Sequence, residues 1–249
     1  MTAGKTALVT GSSGGIGKAI ATKFGEHGMN VVVNYASNQD GAKEAAETIR
    51  DAGGNATVVG ADVSDPAEAQ ALVETAREEY GTVDVLVNNA GIYPRYDWES
   101  ITWDRLQQVL SVNVGGLCNV SGHVLPEMAD RGDGVVINMS SIWSQRGGTG
   151  NVAYTASKGA ITALTRQMCA EYGGEGVRVN TITPGAIATP MNEARREDEE
   201  YLDRVTEGIP ANRFGSADEI AGVALFLAGP DATYVNGADI VVDGGLLAV

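Results

Sequence analysis

The sequence predicts an α/β fold, a parallel sheet with helices on both faces, from three observations. Short runs rich in Val, Ile and Leu alternate with longer helical patterns along all 249 residues. Most of those runs lack polar alternation, as strands buried on both faces should. A glycine-rich turn, Thr10-Gly11-Ser12-Ser13-Gly14-Gly15-Ile16-Gly17, joins the first run to the first helical pattern. Regular β–α alternation of this kind is the signature of parallel strands joined by crossover helices.

The elements follow in order. Thr6–Thr10, Asn30–Asn34, Thr57–Ala61, Val83–Asn88, Val135–Met139, Arg178–Thr183 and Ile240–Val242 read as strands from their apolar content. Between them, helices are expected near Ile16–His27, Asp40–Ala52, Pro66–Tyr80, Thr102–Ala129, Ala153–Tyr172 and Ala217–Leu227. Asp65-Pro66 marks one start, with Pro at the first helical position. No internal repeat, low-complexity linker or composition break divides the chain, so residues 1–249 are expected to form one domain. Thr189–Ile209 breaks the rhythm. It carries Glu193-Ala194-Arg195-Arg196-Glu197-Asp198-Glu199-Glu200 and few apolar residues, which fits either a solvated helix face or a lid over a pocket.

Composition bounds the function. Hydrophobic residues make up 43% and charged residues 20%, which excludes disorder, collagen and coiled coil for the whole chain. No apolar run approaches the ~20 residues of a membrane span. Met1 leads directly into a short apolar run, with no secretory signal, so a cytoplasmic location without membrane attachment is expected. Asp and Glu total 32 against 17 Lys and Arg, a net charge of −15, which argues against a nucleic-acid partner. Only Lys5, Lys18, Lys23, Lys43 and Lys158 are lysines; 12 arginines supply the rest. An acidic, lysine-poor surface fits a halophilic protein, because in molar salt the Debye length falls to about 3 Å and self-repulsion is screened. Cys118 and Cys169 read as small buried residues, not a disulfide. His27 and His123 cannot form a zinc site alone, and no metal is expected.

The glycine turn is informative because it follows a strand and opens a helix. Gly11 can turn the chain, and Gly15 and Gly17 let the backbone approach a pyrophosphate. The helix start then offers free N–H groups and a positive dipole end. Gly11 to Gly15 also fits the G-x-S-x-G nucleophile elbow. An elbow on the first strand leaves few strands before it, and no histidine follows His123 to serve as base, so hydrolase chemistry is set aside.

With Asn88-Asn89-Ala90-Gly91 after the fourth strand, Ser141, Tyr154 and Lys158 beyond it, and Pro184-Gly185 after the sixth, the chain resembles the short-chain dehydrogenase/reductase family over nearly its whole length. The resemblance implies a doubly wound Rossmann-type sheet of seven strands in the order 3-2-1-4-5-6-7. It implies a cofactor site made by Gly11, Ser13, Gly15, Ile16 and Gly17, by Asn34, Tyr35, Ser37 and Asn38, and by Asp62 and Val63. Asn89, Ala90 and Gly91 would lie on its adenine side, and Pro184, Gly185, Ile187 and Thr189 on its nicotinamide side. Asn113, Ser141, Tyr154 and Lys158 fall where the family keeps its catalytic tetrad.

Chemistry explains those residue types. Tyr154 and Lys158 are four apart on a helix and share a face. A free tyrosine, with a pKa near ~10, is a poor base at neutral pH. A lysine ammonium nearby is expected to pull that pKa down. Tyr154 then exchanges a proton with a substrate hydroxyl or carbonyl as hydride moves. Ser141 would bond the substrate oxygen where charge develops. By resemblance, Asn113 would hold a water linking Lys158 to solvent.

Dinucleotide sites specific for NAD usually place an acid at the end of the second strand. This chain has Asn34 there, so NADP(H) is expected over NAD(H), with NAD(H) possible and Tyr35, Ser37 and Asn38 near the phosphate. The loops Ile92–Trp98, Ile142–Arg146 and Ala186–Met191 are expected to line the substrate pocket. Tyr93, Arg95, Trp143 and Gln145 join Ser141 and Tyr154 as candidates there. Aromatic walls beside polar groups suit a small hydroxyl-rich molecule, a sugar or polyol. Overall similarity is to bacterial glucose dehydrogenases and 3-oxoacyl thioester reductases of the family, so a thioester substrate is the alternative. A non-catalytic dinucleotide-binding regulator is the remote one, because such proteins typically lose the tyrosine or lysine. The C-terminal segments resemble those that build a two-fold interface in the family, which implies a homotetramer with D₂ symmetry.

Overall fold

The computed structural model describes residues 2–249. Strands β1 (Thr6–Val9), β2 (Asn30–Tyr35), β3 (Asn55–Gly60), β4 (Val85–Asn88), β5 (Gly134–Met139), β6 (Val177–Pro184) and β7 (Asp239–Val242) pair in parallel. Their order is β3-β2-β1-β4-β5-β6-β7, the order implied by the resemblance. Adjacent strand residues point to opposite faces. Ala7, Val9, Val31, Val33, Val85 and Val87 therefore bury into one layer, and Leu8, Val32 and Leu86 into the other.

Helices α1 (Gly15–Glu26), α2 (Gln39–Asp51) and α9 (Ala217–Ala228) cover the first layer through Ile20, Phe24, Ile49, Ile220 and Leu227. Helices α3 (Pro66–Tyr80), α5 (Gly116–Arg131) and α6 (Val152–Tyr172) cover the second through Leu72, Val120, Met128 and Ile161. Asp65 caps α3 by accepting from the N–H groups of Ala67 and Glu68, as Asp65-Pro66 predicts.

The single helix expected over Thr102–Ala129 is divided. α4 (Trp103–Leu110) passes into a π-helical turn, Ser111–Gly115, before α5 begins. Asn113 sits in that turn, and its side-chain bonds to groups outside the helix account for the local widening. The acidic segment forms a 3₁₀ turn (Pro190–Asn192), α7 (Glu193–Arg196) and α8 (Glu199–Glu207). Cys118 is exposed rather than buried, because α5 buries Leu117, Val120 and Ser121 and turns residue 118 away; Cys169 is half-buried.

The chain reverses its winding between β3 and β4, so β1 has β2 on one side and β4 on the other. In doubly wound sheets a crevice opens there, beyond the carboxyl ends of the strands. Among the described residues, no helix is long and apolar enough to cross a membrane. Nor does any group of three or more His, Cys, Asp and Glu among them stand ready to hold a metal.

Candidate active site

The glycine turn opens into that crevice. Gly11 has φ +61, and a Cβ there would lie 2.8 Å from Ala90 Cα, so glycine alone fits. Thr10 Oγ1 accepts from the N–H groups of Asn89 and Ala90, both at 3.0 Å, which ties the end of β4 to the turn. α1 starts at Gly14 with no side-chain cap and no acid in its first turn. A Cβ on Gly14 would meet nothing within 4 Å. Uncapped N–H groups facing open space beside a tight glycine turn fit a dinucleotide pyrophosphate.

Several residues expected at the cofactor have other work. Asn34 is buried; its Oδ1 accepts from Gly11 N at 3.0 Å and its Nδ2 donates to Ala61 O at 3.0 Å. It braces the turn from below, so its amide is engaged within the protein rather than free for the cofactor. Asn89 Nδ2 donates to the carbonyls of Thr10 (2.9 Å) and Gly11 (3.0 Å), so its amide is a brace too. Asp62 Oδ1 accepts from the N–H and hydroxyl of Ser64, forming a local turn before α3. Val63 and Ile187 are core residues. Ser13 keeps its side chain free, whereas the buried Ser12 hydroxyl donates to Val9 O at 2.7 Å. Asn38 caps α2 by accepting from Gly41 N. Tyr35 lies over Gly60, and Ser37 is exposed. Gly185 donates to Val242 O, fixing the loop after β6. Thr189 and Pro190 lie against Gly15, with Thr189 Cβ 3.6 Å from where a Gly15 Cβ would stand.

The four tetrad candidates do converge. Lys158 and Ser141 are buried on α6 and at the end of β5, and Asn113 is buried in the π turn. Lys158 Nζ donates to Met139 O at 2.7 Å and stands 5.4 Å from the centre of the Tyr154 ring. Burial without a counter-ion brings the Lys158 ammonium down to about pKa 8. Burial also raises the Tyr154 phenol above its ordinary value; nearby Ser141 pulls it back, and Tyr93 pushes it further up. Desolvation dominates, and the lowering expected from Lys158, whose ammonium is bonded to Met139 O, is not among the influences on the phenol. Asn113 Oδ1 accepts from Ile92 N (2.8 Å), and its Nδ2 donates to Ile92 O (3.1 Å) and Ser157 Oγ (3.0 Å). These bonds clamp the loop after β4 to α6.

Of the pocket candidates, Tyr93 is in place. Its ring centroid lies 4.3 Å from that of Tyr154, and its hydroxyl donates to Asn151 Oδ1 at 2.8 Å. Arg95 Nη2 donates to Thr149 O, which staples two loops together. Trp143 packs over Gly148, and Arg146 stacks on its ring at 5.7 Å. Gln145 is drawn to the edge strand, where Nε2 donates to Asp239 Oδ2 at 2.9 Å, and so leaves the pocket. Trp98 faces outward, 82% exposed. Sequence reasoning missed Asn151 and Ser157, which hold Tyr93 and Asn113. It also missed the part Arg195 plays: this residue sits within interaction range of the Tyr93 hydroxyl. No local pattern marks these three, because their roles arise from contacts across loops.

A parallel sheet that reverses at an uncapped, glycine-rich strand–helix turn defines a dinucleotide-binding α/β protein. A family model described as Enoyl-(Acyl carrier protein) reductase matches residues 11–247. Glucose 1-dehydrogenase 2 of Bacillus subtilis is 43% identical over 245 residues, spanning 98% of this chain and 95% of its own. 3beta-hydroxysteroid dehydrogenase 1 of Eggerthella lenta is 39% identical, spanning 98% of this chain and 94% of its own. The crystal structure of a gluconate 5-dehydrogenase from Burkholderia cenocepacia, in complex with NADP and tartrate, superposes with a TM-score of 0.93. It is 36% identical and covers 99% of this chain and 96% of its own. The chain belongs to the short-chain dehydrogenase/reductase family and is an NAD(P)-dependent oxidoreductase acting on CH–OH groups.

Proposed function

We propose that this oxidoreductase acts on a secondary alcohol or carbonyl of a sugar or polyol, with Tyr154 as the acid/base and NADP(H) preferred. The observation that carries the reading is the convergence of Tyr154, Ser141 and Lys158 beside the crevice, with Tyr93 against the Tyr154 ring. The nicotinamide, when bound, accepts the hydride in oxidation and returns it in reduction. Tyr154 takes the hydroxyl proton as the carbonyl forms and gives it back in the reverse direction. Ser141 orients the substrate oxygen. Lys158, buried within 5.4 Å of the ring, offers positive charge to the phenolate. Asn113 acts by position, holding Ile92 and Ser157.

NADP(H) preference rests on the end of β2. Asn34 to Asn38 contain no carboxylate to hold ribose hydroxyls or to repel a 2′-phosphate, and Ser37 is free to meet it. The Burkholderia relative binds NADP, and both it and the Bacillus relative are named for sugars or sugar acids. Residues 1–249 act as one domain, with 189–209 as its lid. The assembly is a cytoplasmic homotetramer. Trp98 and Trp103, 82% and 69% exposed, border an apolar groove of about 590 Å³ between α4 and α6, and Phe226 and Val241 are exposed on α9 and the edge strand β7. Such patches favour burial between subunits. The acid excess suits molar salt.

The direct test is Tyr154→Phe. Turnover of an aldose and polyol panel with NADP⁺ should fall roughly 10²- to 10⁴-fold while NADP⁺ still binds. Unchanged turnover overturns the role of Tyr154. Wild-type turnover confined to acetoacetyl-CoA with NADPH would replace the sugar reading with the thioester one.

A further inference from the structure

We propose that Arg195, presented by the lid over Tyr93, binds a carboxylate on the substrate, so that the substrate class is a polyhydroxy acid rather than a neutral sugar. This rests on the polyol-oxidoreductase reading and deepens it.

The lid sorts its charges by direction. Glu193, Glu197, Asp198, Glu199 and Glu200 are exposed, while Arg195 and Arg196 are half-buried. The two arginines differ in what they touch. Arg196 Nε donates to Asn192 Oδ1 at 3.0 Å and its Nη2 reaches Thr189 O, so it holds the 3₁₀ turn and α7 together. Arg195 has no such task. Among the described residues no carboxylate lies within ion-pair distance of it, despite five acids in the same short segment.

Its neighbour is the Tyr93 hydroxyl, which Arg95, on the same loop as Tyr93, also influences. The Tyr93 ring touches that of Tyr154, 4.3 Å between centroids. A guanidinium therefore stands about one side chain away from the phenol that exchanges the proton. The lid reaches this point from the glycine turn, since Thr189 and Pro190 rest on Gly15. The same segment thus touches the glycine turn at Thr189 and the Tyr93 hydroxyl at Arg195.

A half-buried guanidinium without a counter-ion is electrostatically incomplete in a molecule with 32 acids. Acids of its own lid could have paired with it but point to solvent. A substrate carboxylate completes it with two parallel charge-assisted hydrogen bonds, the geometry a planar guanidinium favours. The reacting hydroxyl then lies at Tyr154, and the carboxylate lies toward Arg195, which fixes which carbon is presented.

The test compares C4–C6 aldonates with the matched alditols, pairs that differ only in a terminal carboxylate or CH₂OH. With NADP⁺, the wild-type kcat/KM for the acid should exceed that for the alditol. Arg195→Gln should lower that ratio about tenfold or more, as loss of a charged hydrogen-bond pair does, with Arg195→Lys intermediate. A second readout avoids turnover. In Tyr154→Phe saturated with NADP⁺, calorimetric Kd for the best aldonate should weaken by about the same factor when Arg195→Gln is added. Equal use of acid and alditol, or a ratio and Kd insensitive to Arg195→Gln, overturns the inference and leaves the polyol reading standing. Turnover of neither series, with activity on thioesters alone, overturns both.

Discussion

Tyr154 and Lys158 show how one environment acts on two groups in opposite senses. Both lose solvation, so the phenol moves up and the ammonium moves down to about 8. Oxidation needs the phenolate, so its kcat should climb through the alkaline range. Reduction needs the protonated phenol and should hold level through neutral pH. Profiles of kcat in both directions check this, and an oxidation rate flat from pH 7 to pH 10 contradicts it. Lys158 also carries a stability consequence. Its folded pKa is below its unfolded one, so between about 8 and the ordinary lysine value the unfolded chain binds more protons and stability rises with pH. Below pH 8 the cost of burying the charge is present in full. Lys158→Met should therefore stabilise the cofactor-free protein against urea at pH 7, by a margin that shrinks toward pH 10, while activity is lost. Both residues were legible from the family resemblance, and their four-residue spacing put them on one helix face. Asn34 was not, because a strand residue's face depends on register, and register places Asn34 under the glycine turn.

The π turn between α4 and α5 shows the same limit for elements. Periodicity predicts a continuous helix over Thr102–Ala129, and both halves exist. The break at Ser111–Gly115 comes from Asn113, whose amide finds partners on Ile92 and Ser157 rather than within its own helix. Asn113→Ala would leave the half-buried Ile92 N–H and C=O without their side-chain partner. The expected loss is about 1–3 kcal/mol in urea unfolding, with a fall in kcat because the loop carrying Tyr93 loses its anchor. A variant as stable and as active as the parent would remove Asn113 from its positioning role. The acidic segment after Thr189 follows similar logic: charge runs do not reveal orientation, and only the folded segment shows its acids exposed and Arg195 half-buried.

Assembly and salt response are properties of the whole molecule. A net charge of −15 on 249 residues repels itself at low ionic strength. The unfolding midpoint should rise steadily from 0.1 M to 2 M KCl, and light scattering at high salt should report a tetramer. A midpoint independent of salt contradicts the halophilic proposal; a monomer contradicts the quaternary one. Exposed Trp98, Trp103, Phe226 and Val241 give the apolar surface such an assembly would cover.

The sequence by itself determined the layer architecture, the glycine turn and the candidates for proton chemistry. These depend on local periodicity, on glycine's access to φ +61 at Gly11, and on a family resemblance whose Tyr154 and Lys158 share a helix face. Tertiary structure alone decided which polar side chains face the crevice and which brace it. Asn34, Asn89 and Gln145 differ from Tyr93 and Arg195 only in the partners that distant segments bring to them. A side-chain amide takes its hydrogen bonds where the fold supplies them, buried as at Asn34 or exposed as at Gln145, and those partners lie across strands and loops, beyond the reach of any local pattern.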